Sequence, residues 1–140
     1  MFKYKHILIA TDFTDETVVH RAAEVAKEMH AKLSVVHVVE PLPGYGYAFI
    51  GAADVEVNLV DEAKKQLAAL GKKHDISVKD QHIGLGPTKT EINRIAEENH
   101  VDLIVVGSHG RHGLSVLLGS TANAVIHSAK CDVLTVRMKS

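Results

Sequence analysis

Between an apolar run and a predicted helix the chain reads VGSHGRHGLSVLLGS, from Val106 to Ser120. The stretch carries four glycines, two histidines, an arginine and three serines. Glycine at this density is costly in conformational entropy, so a bare backbone here has a use. Gly107 and Gly110 let the chain turn tightly and bring backbone N–H groups together. Gly119-Ser120-Thr121 then opens a helix. A helix N-terminus offers unsatisfied N–H donors and partial positive charge, and the two hydroxyls add donors. That combination suits a phosphate. The competing reading is that the glycines only shape a strand exit and Ser120 is an ordinary N-cap.

Other chemistries fail on spacing. No Gly-Lys-Ser/Thr occurs, which excludes a P-loop. The dinucleotide fingerprint belongs after the first strand, where the chain reads ATDFTDE; GLGPTK starts correctly but places Lys89 where the third glycine belongs. A G-x-S-x-G nucleophile elbow is missing. His109 and His112 lie three apart, yet zinc needs further ligands nearby and only Asp12 is a topological candidate. Most of the ten histidines read as surface or strand-end residues.

The elements that must position this stretch follow from hydrophobic periodicity. HILIAT (6–11) and DLIVVG (102–107) are short continuous apolar runs, the mark of strands covered on both faces. KLSVVHVV (32–39), the more polar SVKDQHIG (77–84) and DVLTVRM (132–138) complete five strands. Helices are predicted over 14–30, 54–74, from Thr88 onward, and over 119–129. Thr14 reads as an N-cap, and Thr88 with Glu91 as a capping box. Val18, Ala22, Val25, Ala26 and Met29 form one apolar face. Val60, Ala63, Leu67 and Leu70 form a second, and Ile92, Ile95 and Ala96 a third.

This alternation predicts an α/β fold: an open five-stranded parallel sheet in the order 3-2-1-4-5, Rossmann-like, with helices on both faces. The two most apolar strands take the centre, the third and fifth the edges. The whole chain, 1–140, reads as one domain. Ligands of such sheets bind beyond the strands' carboxyl ends where the strand order reverses. Here that is between the first and fourth strands, which sets Ala10, Thr11 and Asp12 beside Val106 and Gly107. His37-Val38-Val39 borders the same crevice.

A net charge of −1, with six scattered Phe and Tyr, argues against a nucleic-acid binder. MFKYKHILIATD lacks a signal-peptide layout, and no run approaches the roughly 18 apolar residues of a membrane span. Cys131 is the only cysteine, so no internal disulfide forms. The expectation is a cytoplasmic protein with neither membrane nor nucleic-acid partner.

Nearly the whole chain resembles the universal stress protein family. The likeness lies in YKHILIATDFTDE, in LSVVHVVEP, and above all in DLIVVGSHGRHGL…LLGSTANAVIHSAKCDVLTVR. It implies the same fold, akin to the adenine-nucleotide α-hydrolases, and in one branch of the family an adenine nucleotide, ATP or AMP. That branch carries G-x-x-G, nine residues, then G-[S/T]. Gly107-Ser108-His109-Gly110 matches the first half and Gly119-Ser120 the second, with Thr121 following. Asp12 matches the aspartate near ribose and phosphates, with Ala10 and Thr11 beside it; by its own chemistry the Asp12 carboxylate is also a candidate holder of a magnesium ion or a water. Val38 matches the residue whose backbone meets adenine, and Val106 lines the same pocket. Only eight residues, 111–118, separate the halves here. A second branch lacks the glycine motif and does not bind ATP; the chain's start and DVEVNLVDEA resemble it. The resemblance therefore implies a nucleotide-binding module, or alternatively a ligand-free interaction dimer; with no lysine inside the loop and no second carboxylate evident, weak ATPase activity at most is expected. In either case the fifth strand, from Asp132 to Met138, is an edge free to pair with a second copy across a two-fold axis.

Overall fold

A computed structural model describes residues 3–14, 16–40, 52–108 and 120–137, the side chains of 52–54 excepted. In order the elements are β1 (His6–Ala10), α1 (Glu16–Met29), β2 (Lys32–Val39), α2 (Ala52–His74), β3 (Gln81–Leu85), α3 (Thr88–Glu98), β4 (Leu103–Gly107), α4 (Ser120–Ser128) and β5 (Asp132–Val136). All five strands pair in parallel, in the order β3-β2-β1-β4-β5. The apolar β1 and β4 are central, and β3 and β5 are the edges, as predicted.

The continuous apolar runs make sense once both faces of the sheet are covered. Ile7, Ile9, Val35, Leu103 and Val105 pack on one face with Val18, Val19, Ala22 and Ala26 of α1 and Leu67 of α2. Leu8, Val36, Ile104 and Val106 alternate onto the other face, against Ile92, Ile95 and Ala96 of α3 and Ala122 and Val125 of α4. A strand's side chains alternate between faces, so a strand buried on both has no polar phase. The predicted helix faces are largely those that pack. Val25, Met29, Val60 and Leu70 are half-buried at their margins, and Val19 joins the buried set of α1.

Three helices end alike. His30, Asp75 and His100 follow α1, α2 and α3 with positive φ of 53°, 59° and 56°. The next residue's N–H returns to the last turn: Ala31 to the Ala26 carbonyl, Ile76 to Gly71 and Val101 to Ala96, at 2.8–2.9 Å. This is the Schellman cap, here built without glycine at its left-handed position.

Several local expectations need correcting. The sequence predicts strand three over 77–84, but residues Val78–Asp80 form a 3₁₀ turn and the strand starts at Gln81. Asp80 N–H closes the turn onto the Ser77 carbonyl, and its carboxylate pairs with Lys32 at 3.2 Å. Thr88 and Glu91 form no capping box. The Thr88 hydroxyl donates to Glu40, while the Glu91 carboxylate accepts from the Leu85 N–H and from Arg94. Thr14 does not cap α1, because its hydroxyl donates to Asp12. The fifth strand ends at Val136; Met138 lies outside the described residues.

Candidate functional site

The order reversal places β1 between β2 and β4, and their carboxyl ends form one edge of the sheet. Register fixes the neighbours. The last ladder pairs on that side are Ala10 with Val36 of β2 and Ile9 with Val105 of β4. Ala10, Thr11, Asp12, Val38, Val106, Gly107 and Ser108 thus lie at or just beyond the carboxyl ends of β1, β2 and β4. Val106 is buried in the sheet, whereas Ala10, Thr11, Asp12, Val38, Gly107 and Ser108 are half-buried at its rim. Ser108 stays tied to the sheet, its N–H donating to the Val136 carbonyl at 2.8 Å.

Beyond β1 the backbone bends sharply. The Thr11 N–H still donates to the Val36 carbonyl at 3.0 Å, but register pairing with β2 has ended at Ala10. Thr11 Oγ1 then accepts the Phe13 N–H at 3.0 Å, and Asp12 Oδ1 accepts the Thr14 N–H at 3.0 Å and its hydroxyl at 2.5 Å. Side chains that bind backbone two residues on make a turn in place of a strand. Phe13 pays for that turn with φ of 67°, an unfavourable conformation for a bulky residue, at a cost of about 1–3 kcal/mol. His37 answers it from β2: its Nδ1 lies 2.8 Å from the Thr11 carbonyl, and its ring sits on Phe13 with centroids 4.4 Å apart.

Helix α4 is described from Ser120; Ser120 is exposed and Thr121 half-buried. The helix links β4 to the parallel β5, and so must run back along the sheet with its N-terminus at the strands' carboxyl ends. His109, Gly110 and Gly119 lie outside the described residues, as does the rest of 109–119.

Phe13 and the role of His37 were not read from the sequence. His37 was placed at the crevice border, but nothing in LSVVHVV says that its ring turns back onto β1. A second polar cluster lies at the strands' amino ends. His6 is buried, with Nε2 2.6 Å from Ser34 Oγ and Nδ1 2.9 Å from the Asn99 carbonyl. Asp102 accepts the N–H groups of Lys5 and His6 at 2.8 and 2.9 Å. The available signal was a serine inside an apolar strand and a histidine at the head of another.

Comparison with known proteins bears on what this arrangement serves. The model of the universal stress protein family matches residues 3–137. Universal stress protein A homolog 2 of Coxiella burnetii is 46% identical over 144 aligned positions, covering 99% of each chain. The solved structure of the hypothetical protein MJ0577 superposes with a TM-score of 0.83 at 28% identity, covering 99% of both chains. A universal stress protein solved in complex with cAMP shares the fold, with a TM-score of 0.64 at 24% identity over 99% of this chain and 100% of that one.

Proposed function

The chain belongs to the universal stress protein family, and from that premise we propose that it is a cytoplasmic module, one domain over 1–140, that binds an adenine nucleotide, ATP or AMP. The observation that carries this reading is the strand-order reversal. It puts the carboxyl ends of β1 and β4 side by side, so that the Asp12 bend leaves the same sheet edge as Gly107 and Ser108. Phosphates would meet Gly107-Ser108-His109-Gly110 on one side and Gly119-Ser120-Thr121 on the other. Ala10, Thr11, Val38 and Val106 would line the nucleoside end. A neighbour of this fold has been solved with cAMP, itself an adenine nucleotide.

Among the described residues no three His, Cys, Asp or Glu side chains gather to hold a metal ion. A magnesium ion at Asp12 would therefore complete its shell with phosphate oxygens and water. With no lysine in the glycine loop, hydrolysis is slow at best.

Isothermal titration with ATP and with AMP tests the proposal, together with mass spectrometry of small molecules released from the purified protein. The expected result is binding, and its loss in the double variant G119A/S120A. No heat, no thermal shift at millimolar nucleotide and no released nucleotide would sink it. That outcome would favour the second reading, a ligand-free interaction dimer, whose support is the eight-residue spacing of the glycine motif.

A further inference from the structure

We propose that His37 is the positioning residue of the nucleotide site, setting the Thr11–Phe13 bend and through it the direction of the Asp12 carboxylate. The inference rests on the nucleotide-binding reading for its consequence, but not for its geometry. Ladder pairing of β1 with β2 ends at Ala10 and Val36, while β2 continues against β3 as far as Val39. The Thr11 carbonyl points across the gap that opens, and the His37 imidazole meets it at 2.8 Å. A carbonyl is only an acceptor, so Nδ1 must carry the hydrogen and the neutral ring must be the Nδ1–H tautomer.

The same ring lies against Phe13, tilted by 34°, and so contacts the one residue of the bend whose φ is unfavourable. One side chain thereby fixes both ends of a three-residue turn, Thr11 by a hydrogen bond and Phe13 by ring contact. Asp12 lies between them, its Oδ1 receiving the Thr14 N–H and hydroxyl. Nothing else among the described side chains bonds to the Thr11 carbonyl. Without His37 the chain would have to hold Phe13 at positive φ by the Thr11 and Asp12 side chains alone.

Two substitutions separate the contributions. Phenylalanine in H37F keeps a ring for Phe13 and removes the donor; asparagine in H37N keeps an N–H close to the Nδ1 position and removes the ring. Losing one hydrogen bond at a positioning residue is expected to weaken nucleotide binding in H37F by about tenfold, most of it recovered in H37N. In the wild-type protein, nitrogen-15 spectra of the imidazole should show a protonated Nδ1 at neutral pH. Hydrogen exchange at the Phe13 and Thr14 amides should accelerate in H37F and stay slow in H37N. An Nε2–H tautomer, or unchanged exchange in H37F, overturns the assignment whether or not nucleotide binds. Equal nucleotide affinity in wild type and H37F also overturns it. If the wild type binds no nucleotide while tautomer and exchange come out as expected, the functional reading fails and His37 still sets the bend.

Discussion

At the scale of single residues, the polar side chains inside this sheet are tied to protonation. His6 gives its Nδ1–H to the Asn99 carbonyl, which leaves neutral Nε2 to accept from the Ser34 hydroxyl. Burial pushes the His6 pKa below its ordinary value, overriding the opposing pull of the Asn99 carbonyl. Burial lowers His74 and His82 as well, and His74 also faces His20 and Lys73. A histidine whose folded pKa is lowered stays neutral while the unfolded chain takes up a proton. Its stabilisation is complete above the unfolded value of about 6.5 and is lost as pH falls below it. Thermal midpoints should therefore be level near pH 8 and drop steadily from about pH 6.5 downward. A midpoint unchanged between pH 7.5 and 5.5 would show the histidines to be indifferent. Ser34→Ala leaves buried Nε2 without its donor and should cost about 1–3 kcal/mol in urea unfolding at neutral pH.

At the scale of elements, two places show how closely backbone geometry and packing agree. Gly84 of β3 lies under α3, where an added Cβ would come 2.8 Å from Glu91 Cβ and 3.2 Å from Val38 Cγ2. Neither neighbour is the loose end of a side chain, since Glu91 is held by Leu85 and Arg94. Gly84→Ala should push α3 off the sheet edge and cost about 1–3 kcal/mol, read as a lower urea midpoint. The helix ends offer the opposite case. His30 and His100 occupy left-handed positions that glycine enters without strain, and both side chains are exposed. His30→Gly and His100→Gly should each stabilise the protein by up to about 1 kcal/mol, because relief of strain outweighs the added freedom of the unfolded chain. Destabilisation by both variants would mean that those side chains make contacts worth more than the strain.

At the scale of the whole molecule, the two sheet edges differ. On β3 the approach is broken by the 3₁₀ turn at Val78–Asp80, and the paired Lys32 and Asp80 stand beside it. Edges interrupted in this way resist strand addition. On the other side β5 pairs with β4 over all five of its residues and has no strand beyond it among the described elements. Antiparallel pairing of β5 with its counterpart in a second copy would satisfy that outer row across a two-fold axis. Sedimentation is expected to give a species of twice the 15.2 kDa chain mass, with or without nucleotide. A single species at the chain mass would remove β5 as a dimer edge.

The sequence by itself determined the sheet order, the central strands and which helix faces pack. Those features are written in periodicity and in the strength of apolar runs, which depend on the next few residues alone. HILIA and LIVVG cannot be edge strands, because both of their faces need cover. The tertiary structure decided what polar side chains do when they have a choice of partner. Thr14 and Thr88 read as caps, but their hydroxyls found Asp12 and Glu40, and Glu91 went to Leu85 and Arg94. SVKD at 77–80 alternates like a strand and became a turn. The His37 ring closes on Thr11, 26 residues earlier, and His6 on Ser34 and Asn99, 28 and 93 residues later. A hydrogen bond is short and directional, so its partner is set by which backbone comes within 3 Å, and that is known only after the strands have taken their places.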